Sequence, residues 1–309
     1  MNSTSQNTPS DIVTQNWVDK YLPKFCRPYA RLARLDGPIG TWLLLLPCWW
    51  GLALATAHYP AEPTTPLYYM ILFAIGALVM RGAGCTWNDI TDRDFDGKVT
   101  RTATRPIPAG DVSVKQALVF MALQCLIGLV VLLQFNNYAI IVGVTALILV
   151  IAYPFMKRIT YWPQAWLGLT FNWGVLVGWI AIVGDISMPA LTLYAAGFFW
   201  TLGYDTIYAH QDKEDDVLIG VKSTALRLGD GTAKWMVGFY GATIILIGLA
   251  AYQVDIEWPF WFVLGLGAIH LLWQVKSLNI DDAQNCSRLF KSNRDFGIVI
   301  FIGIVAGAF

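Results

Sequence analysis

Two groups of oxygen-bearing side chains are the residues of this sequence best suited to chemistry. They comprise Asn88, Asp89, Asp92 and Asp96 in a first motif and Asp205, Asp212 and Asp216 in a second. Spacings of three and four residues place side chains on one face of a helix, and facing carboxylates suit a hard divalent cation such as Mg²⁺. Without a cation or basic groups nearby, these acids would repel one another. The two motifs therefore predict metal-assisted binding of an anionic ligand such as a diphosphate.

The elements that carry these motifs are predicted to belong to a membrane protein. Hydrophobic residues make up 56% of the 309 residues, charged residues only 14%, and the mean hydropathy is +0.51. This charge is too sparse to coat a soluble globule, and apolar runs approach the roughly 20 residues that span a bilayer. We therefore expect an all-α, polytopic fold.

Nine apolar segments are predicted to be transmembrane helices. They are 39–59, 67–87, 115–135, 138–156, 163–184, 189–210, 235–252, 258–275 and 296–309. The last segment would be only about 21 Å long as a helix. We therefore expect it to begin earlier, near Leu289, or to lie against protein where the bilayer is thinned.

The basic residues are distributed asymmetrically across these segments. Lysines and arginines lie before the first segment and in the even-numbered connections and their flanks, which include Arg81 and Lys115, whereas connections such as 136–137 and 185–187 contain none. By the positive-inside rule, we expect the N-terminus and both acidic motifs to be cytoplasmic and the C-terminus to lie outside. The formal net charge of zero is the average of a charged cytoplasmic face and nearly neutral outer turns. Nucleic-acid binding is not indicated.

The domain organisation is expected to be simple. Residues 1–38 are predicted to be a cytoplasmic tail and an interfacial segment, and residues 39–309 a single transmembrane domain. Aromatic and basic residues alternate between Trp17 and Asp36, which fits either a helix along the membrane surface or a plain basic anchor. The five cysteines are scattered without paired spacing, which argues against a zinc site or a disulfide framework.

Both acidic motifs, with three further sequence runs, resemble the UbiA-type intramembrane prenyltransferases. The second motif follows the run Tyr-Asp-Thr-Ile-Tyr-Ala at 204–209. The other runs are Arg-Leu-Asp-Gly-Pro-Ile-Gly at 34–40, Arg-Pro-Ile-Pro-Ala-Gly at 105–110 and Tyr-Pro-Phe-Met-Lys-Arg at 153–158. The chain is most similar to the 4-hydroxybenzoate polyprenyltransferase branch. One departure is Gly37, where that branch often has a basic residue.

The resemblance implies a fold, a reaction and a location. The fold would be about nine transmembrane helices around a central cavity with a cytoplasmic cap, in a bacterial inner membrane. The reaction would be Mg²⁺-dependent transfer of a polyprenyl group from polyprenyl diphosphate to the ring of 4-hydroxybenzoate, ortho to the hydroxyl, in ubiquinone biosynthesis. The partners would be these two substrates and the lipid bilayer.

The acidic residues are assigned separate roles under this resemblance. Asn88, Asp92 and Asp96 are expected to form one metal-binding face, and Asp212 with Asp216 the other. Asp89 and Asp205 are expected to be additional ligands or partners of the ligands. Asp94 and Asp215 are less favoured, since Asp94 would lie about 200° around a helix from Asp92 and Asp215 lies outside the matched motif.

Basic and aromatic residues are expected to contact the substrates. The predicted set is Arg34, Arg101, Arg105, Tyr153, Lys157, Arg158, Trp200, Tyr204 and Tyr208. The spacing of four between Tyr153 and Lys157 would point both side chains the same way, and the resemblance implies that this pair lies near the diphosphate. Arg158 is the candidate partner of the acceptor carboxylate. The aromatic residues at spacing four could stabilise an allylic cation. For the basic residues the alternative is a role in topology alone, and for Trp200 it is packing.

Other functions stay open at this point. The same reaction type could use another acceptor, such as homogentisate, dihydroxynaphthoate, haem or chlorophyllide. A secondary transporter is a further alternative, although its coupling acids usually lie near the membrane midplane rather than at cytoplasmic helix ends. A structural scaffold would leave both acidic motifs unexplained.

Overall fold

The protein is all-helical throughout the residues that the computed structural model describes, which are 16–59, 62, 64–97 and 102–308. Thirteen α-helices follow one another in this described part of the chain. They are α1 (Trp17–Tyr21), α2 (Arg27–Leu32), α3 (Ile39–His58), α4 (Thr64–Asp96), α5 (Val114–Leu132), α6 (Asn137–Ile159), α7 (Pro163–Val183), α8 (Met188–Ala209), α9 (Lys213–Ile219), α10 (Thr224–Leu228), α11 (Thr232–Tyr252), α12 (Trp258–Ser277) and α13 (Ala283–Gly307).

Seven stretches of the described chain are long and apolar enough to cross a membrane. They are α3, α4, α5, α6, α7, the stretch Thr224–Tyr252 and α12. The other two long helices, α8 and α13, carry more polar residues. Most of α8 is buried inside the protein, where polar groups find protein partners, and α13 begins with a charged segment. The predicted class of polytopic helical membrane protein is confirmed.

The observed helices match the predicted segments but differ at several ends. α4 continues well past residue 87 and ends only at Asp96, so the whole first acidic motif lies on one helix. α13 begins at Ala283, which confirms the expected earlier start but lies before Leu289, and its 25 residues make it about 37 Å long. Its buried residues recur every three to four positions, which explains why an apolar-run criterion missed the first half.

The chain divides into two compact units. The first comprises Met1–Gly40 with Leu78–Gly128, and the second comprises Thr41–Ala77 with Leu129–Phe309. The first unit contains a small buried cluster in which Leu32, Ile90 and Val112 pack together. Tyr29 and Phe120 lie against this cluster, with ring centroids 5.3 Å apart. Through these contacts the chain before α3 is packed against the end of α4 that carries the first motif.

In the second unit, α8 is the central helix. It packs against α7, α11 and α13, and residues such as Trp200, Leu202 and Ile207 are buried. α3 and α7 approach so closely that a Cβ on Gly51 would lie within 3 Å of the Val175 backbone. A Cβ on Gly178 would similarly be 2.9 Å from Leu52 N. Small residues at such contacts are typical of helix packing within membranes.

Candidate active site

The first acidic motif lies on the last turns of α4, with its two faces in different environments. Asp89, Asp92 and Asp96 are buried, and Asn88 is half-buried. Asp94 is on the other side, with 79% of its side chain exposed and 3.5 Å from Arg93 Nε. The helix geometry therefore separates Asp94 from the other acids, as its spacing predicted.

Two arginines pair with two of the three buried acids of this motif, Asp89 and Asp96. Asp89 Oδ1 accepts hydrogen bonds from Arg34 Nη2 at 2.8 Å and from Arg105 Nη1 at 3.2 Å. Arg105 Nη1 also donates to Asp96 Oδ2 at 2.8 Å. Charge-assisted bonds of this kind offset the repulsion between neighbouring carboxylates. Asp89 thus organises two of the predicted substrate-binding arginines.

Arg34 adopts a backbone conformation that is unusual for its residue type. Its φ is 56°, and it directly follows α2, where Leu35 N donates to Ala30 O at 2.9 Å. Glycine is the usual residue at this helix-ending position, and a left-handed conformation costs other residues about 1 kcal/mol. The strained turn aims the guanidinium of Arg34 at Asp89.

The second acidic motif spans the end of α8, the 3-10 turn that follows it (His210–Asp212) and the start of α9. Asp205 lies in the last turn of α8, Asp212 ends the 3-10 turn, and Asp216 lies in the first turn of α9. All three are half-buried. α9 ends at Gly220, whose φ of 74° favours glycine, and Val221 N donates to Asp216 O at 2.9 Å. The left-handed turn at Gly220 therefore ends α9 shortly after Asp216.

Two side chains within this motif fasten it to the rest of the second unit. His210 Nε2 lies 3.0 Å from Thr232 Oγ1, and Lys213 Nζ donates to Ile280 O at 3.1 Å and to Asp281. Burial, together with the nearby ammonium of Lys213, lowers the pKa of the His210 imidazole from 6.5 to about 4. The ring is therefore neutral near pH 7 and acts as a structural hydrogen-bonding group.

The loop after α9 connects the second motif to the end of α6. Lys222 N donates to Lys157 O at 2.8 Å, and Lys222 Nζ donates to Ile159 O at 3.1 Å. Thr224 N then donates to Gln164 Oε1 at 3.0 Å. These bonds fix Lys157, a predicted diphosphate ligand, against the segment that carries Asp212 and Asp216.

The other predicted residues of α6 differ in exposure. Tyr153 and Lys157 are half-buried in its last two turns. Arg158 is exposed, and its Cζ lies 5.6 Å from the ring centroid of Phe155. Arg101 lies outside the described residues. Of the two adjacent cations, Lys157 is therefore the one directed into the protein.

The predicted aromatic residues of α8 form a ladder along that helix. Trp200 is fully buried, with ring centroids 4.8 Å from Trp50 and 5.0 Å from Tyr204. Tyr208 lies 4.5 Å from Phe290 and is half-buried at the motif end of the helix. Trp200 is thus placed in an aromatic core, while Tyr208 is the predicted aromatic residue of α8 that lies nearest to Asp212 along the chain.

Behind these aromatic residues lies a buried polar network that the sequence motifs did not predict. Trp200 Nε1 donates to Asn293 Oδ1 at 2.9 Å, and Asn293 Nδ2 donates to Gln274 Oε1 at 3.3 Å. Tyr240 Oη donates to the same Gln274 oxygen at 2.6 Å. The sequence signal was the presence of amide side chains on the apolar faces of α12 and α13, since buried amides need partners.

Arg81 was not among the predicted site residues, since its charge fitted the topology pattern of the basic residues. It lies inside the predicted segment 67–87 and is half-buried on α4. A charge that interrupts an apolar run is the sequence signal that could have identified it.

The donors of the two motifs fit a magnesium-like ion by their chemistry. All are carboxylate or amide oxygens, and Asp89 Oδ2 is buried without a hydrogen-bond partner among the described residues. Within the described parts of each unit, there is no cluster of three or more Asp, Glu, His or Cys side chains that could bind a metal ion by themselves. Sites for Mg²⁺ commonly use only one or two carboxylates per ion and complete the shell with water and phosphate oxygens.

The sequence has clear relatives of known family. Residues 44–302 match the profile of the UbiA prenyltransferase family. The chain is 52% identical over 295 residues to "4-hydroxybenzoate polyprenyltransferase, mitochondrial" of Arabidopsis thaliana, covering 94% of this chain and 71% of that protein. The Homo sapiens protein of the same name is 52% identical over 288 residues, covering 92% and 76%.

Solved structures share the same fold. A UbiA homolog from Aeropyrum pernix K1 has a TM-score of 0.72 at 27% identity, covering 86% of this chain and 97% of that one. A UbiA homolog from Archaeoglobus fulgidus bound to GPP and Mg²⁺ has a TM-score of 0.66 at 19% identity, covering 91% and 98%. With the family profile and the identity to these relatives, this chain belongs to the UbiA prenyltransferase family.

Proposed function

We propose that the protein transfers a polyprenyl group from polyprenyl diphosphate to the ring of 4-hydroxybenzoate, ortho to the hydroxyl, in ubiquinone biosynthesis. The observation that carries this proposal is 52% identity over 94% of the chain to a relative named for that activity. The intact acidic motifs of α4 and α8–α9 support it, because they supply the groups that a diphosphate requires.

The proposed diphosphate site uses both motifs. Asn88, Asp92 and Asp96 would hold Mg²⁺ on one side, and Asp212 with Asp216 on the other, with Asp205 as an additional ligand or a partner of these ligands. Bound Mg²⁺ would neutralise the diphosphate and so stabilise the negative charge that develops when this group leaves. The oxygen-only donor set and the burial of Asp92 support this assignment.

The basic residues would orient the substrate phosphates. Arg105 contacts Asp89 and Asp96, so its guanidinium is already held beside the predicted metal ligands. Arg34 is held by the same Asp89 carboxylate. Lys157 is fixed beside the second motif through its backbone carbonyl. Together these three cations would hold the diphosphate in one orientation, with Tyr153 beside Lys157 in the last turns of α6.

The transfer step would then proceed by substitution on the aromatic ring. The bond between the allylic carbon and the diphosphate oxygen breaks, a carbon–carbon bond forms ortho to the hydroxyl, and the proton on that ring carbon is lost. Tyr204 and Tyr208 would face the allylic carbon, where aromatic rings stabilise positive charge by roughly 0.5 to 2 kcal/mol each. The membrane interior excludes the water that would otherwise capture the cation.

The direct test is product formation in membranes that contain the protein. We expect Mg²⁺-dependent formation of prenylated 4-hydroxybenzoate, identified by mass, and complete loss in Asp92→Ala and Asp212→Ala. Asp94→Ala is the matched control, since Asp94 lies exposed on the opposite side of the same helix. Exclusive prenylation of homogentisate or dihydroxynaphthoate would instead identify the alternative acceptor, and full activity of either motif variant would reject the site.

The proposed orientation places both acidic motifs on the basic side of a bilayer. In a bacterium that side is the cytoplasm and the membrane is the inner one, whereas the similar proteins of Arabidopsis thaliana and Homo sapiens are named as mitochondrial. The even-numbered connections that carry the basic residues support this orientation. A C-terminal tag should be cleaved by protease only from the side opposite the motifs, and cleavage from the motif side would invert the map.

A further inference from the structure

The segment before the first membrane-spanning helix carries an exposed patch of aromatic and basic side chains. This α1 patch consists of Trp17, Lys20, Tyr21, Lys24 and Phe25. Tyr21 and Phe25 are 79% and 76% exposed, whereas Val18 of the same segment is fully buried. Neither lysine forms an ion pair within the described part of the chain. The patch is therefore a surface without a partner inside the protein.

Hydrogen bonds of the first unit place the α1 patch near the polar end of α4. Trp17 Nε1 donates to Leu35 O at 3.1 Å, and the preceding residue, Arg34, donates to Asp89 at 2.8 Å. Asp89 lies seven residues before the end of α4, about 10 Å along the axis. α1 is therefore attached where α4 leaves the apolar region, at the level expected for lipid headgroups.

An anionic lipid surface is the partner whose chemistry fits this patch. Tyrosine and tryptophan rings are favoured at the boundary between headgroups and acyl chains, because each ring has an apolar body and a polar edge. A lysine near an anionic membrane surface favours the docked form about fivefold, so two lysines favour it about 30-fold. Headgroups without net charge provide no such gain. The patch has two lysines and no acidic side chain, which complements anionic lipid.

α1 is also fastened to the strained turn that presents Arg34. Asp19 Oδ1 accepts a hydrogen bond from Arg31 Nη2 at 2.7 Å, and Arg31 O accepts one from Arg34 Nη1 at 3.0 Å. Trp17 holds the other side of the turn through Leu35 O. A non-glycine residue with a φ of 56° persists only where its surroundings hold it. The position of α1 therefore influences the orientation of Arg34.

We propose that the α1 patch docks on anionic phospholipid headgroups, and that this docking holds Arg34 in its orientation toward Asp89. The first half of the proposal concerns lipid binding alone. The second half rests on the proposed function, because it makes the binding of prenyl diphosphate respond to the charge of the surrounding lipid.

The docking is tested by hydrogen exchange of the full-length protein in nanodiscs of phosphatidylcholine, with or without phosphatidylglycerol. We expect the backbone amides of residues 18–22 to exchange about 5- to 30-fold more slowly when phosphatidylglycerol is present, as one or two lysine contacts would give. Lys20→Gln combined with Lys24→Gln should abolish this difference. Lys115→Gln combined with Lys291→Gln is the matched control, since it removes two exposed lysines outside the patch, and it should retain the difference.

The coupling to Arg34 is tested by the KM for farnesyl diphosphate, with Mg²⁺ and 4-hydroxybenzoate, in the same nanodiscs. With phosphatidylglycerol, the variant that lacks Lys20 and Lys24 should have a KM about 3- to 10-fold above wild type. In phosphatidylcholine alone, the two proteins should agree within about twofold. Agreement there separates docking on lipid from direct attraction of the substrate by the lysines.

A second variant separates the coupling from the docking. Trp17→Phe keeps an aromatic ring in the patch but removes the hydrogen bond to Leu35 O. It should retain the slower exchange with phosphatidylglycerol and still raise the KM for farnesyl diphosphate about 2- to 5-fold, the range for one lost hydrogen bond.

The outcomes separate the docking, the coupling and the proposed function. Equal exchange of α1 in both kinds of nanodisc, or a difference that survives loss of Lys20 and Lys24, overturns the docking. Slower exchange without a change in KM, or a KM raised equally in both lipids, overturns the coupling to Arg34. If the wild type forms no prenylated hydroxybenzoate with any prenyl diphosphate, the proposed function fails, while hydrogen exchange still decides the docking.

Discussion

Asp89 is the residue whose structural role differs most from what its motif alone indicates. From the sequence it was one of four oxygen donors in a motif, and its role was left between additional metal ligand and partner of the ligands. In the structure one carboxylate oxygen receives Arg34 and Arg105, and Arg105 reaches on to Asp96. Helical spacing identified Asp94 as the less favoured acid. It could not identify these arginines as the partners of Asp89, since Arg34 lies 55 positions from Asp89 in the chain.

Removal of the Asp89 carboxylate should destabilise the first unit. Asp89→Ala would leave two guanidinium groups without their shared buried partner, and breaking a buried pair on one side costs about 3 kcal/mol. We expect a lowered midpoint of thermal unfolding in detergent. Asp94→Ala, which removes an exposed acid, should change stability by less than about 0.5 kcal/mol. Equal midpoints for the two variants would contradict the structural role of Asp89.

At the scale of helices, the sequence predicted which helices form better than it predicted where each helix begins and ends. Among the described residues, the nine predicted apolar segments correspond to nine long helices, because long apolar runs indicate helices that are shielded from water. The ends of α4 and α13 were wrong because those ends are polar and packed against protein, where hydropathy carries no information. The connection from α9 back to α6 and α7 depends on backbone hydrogen bonds at Lys222 and Thr224, which no sequence pattern reports.

The close approach of α3 and α7 gives a prediction at this scale. Gly51→Ala would place a methyl group against the Val175 carbonyl, and backbone cannot rotate away as a side chain can. We expect destabilisation of about 1 to 3 kcal/mol, measured by thermal unfolding in detergent. Gly241→Ala on α11 is the matched control, since a Cβ there meets open space. It should be neutral or slightly stabilising, because alanine favours helices. A neutral Gly51→Ala would show that α3 and α7 are less tightly packed.

At the scale of the whole molecule, composition and apolar runs predicted a polytopic membrane protein, and both this class and the family resemblance are confirmed. The expectation of a single transmembrane domain stays a prediction, since the chain divides into two compact units that each carry one acidic motif. The first motif belongs to Leu78–Gly128, and the second to Leu129–Phe309. Joint action of the two units is therefore the central claim about this protein.

That claim is tested most directly by measuring Mg²⁺-dependent binding of a non-reactive prenyl thiodiphosphate to purified wild type, Asp92→Asn, Asp212→Asn and the double variant. If both motifs hold the same diphosphate, each single variant should lose most of the Mg²⁺-dependent affinity. The double variant should then lose little more, since residues that act as a unit are not additive. Independent, additive losses, or a loss confined to one motif, would contradict the account.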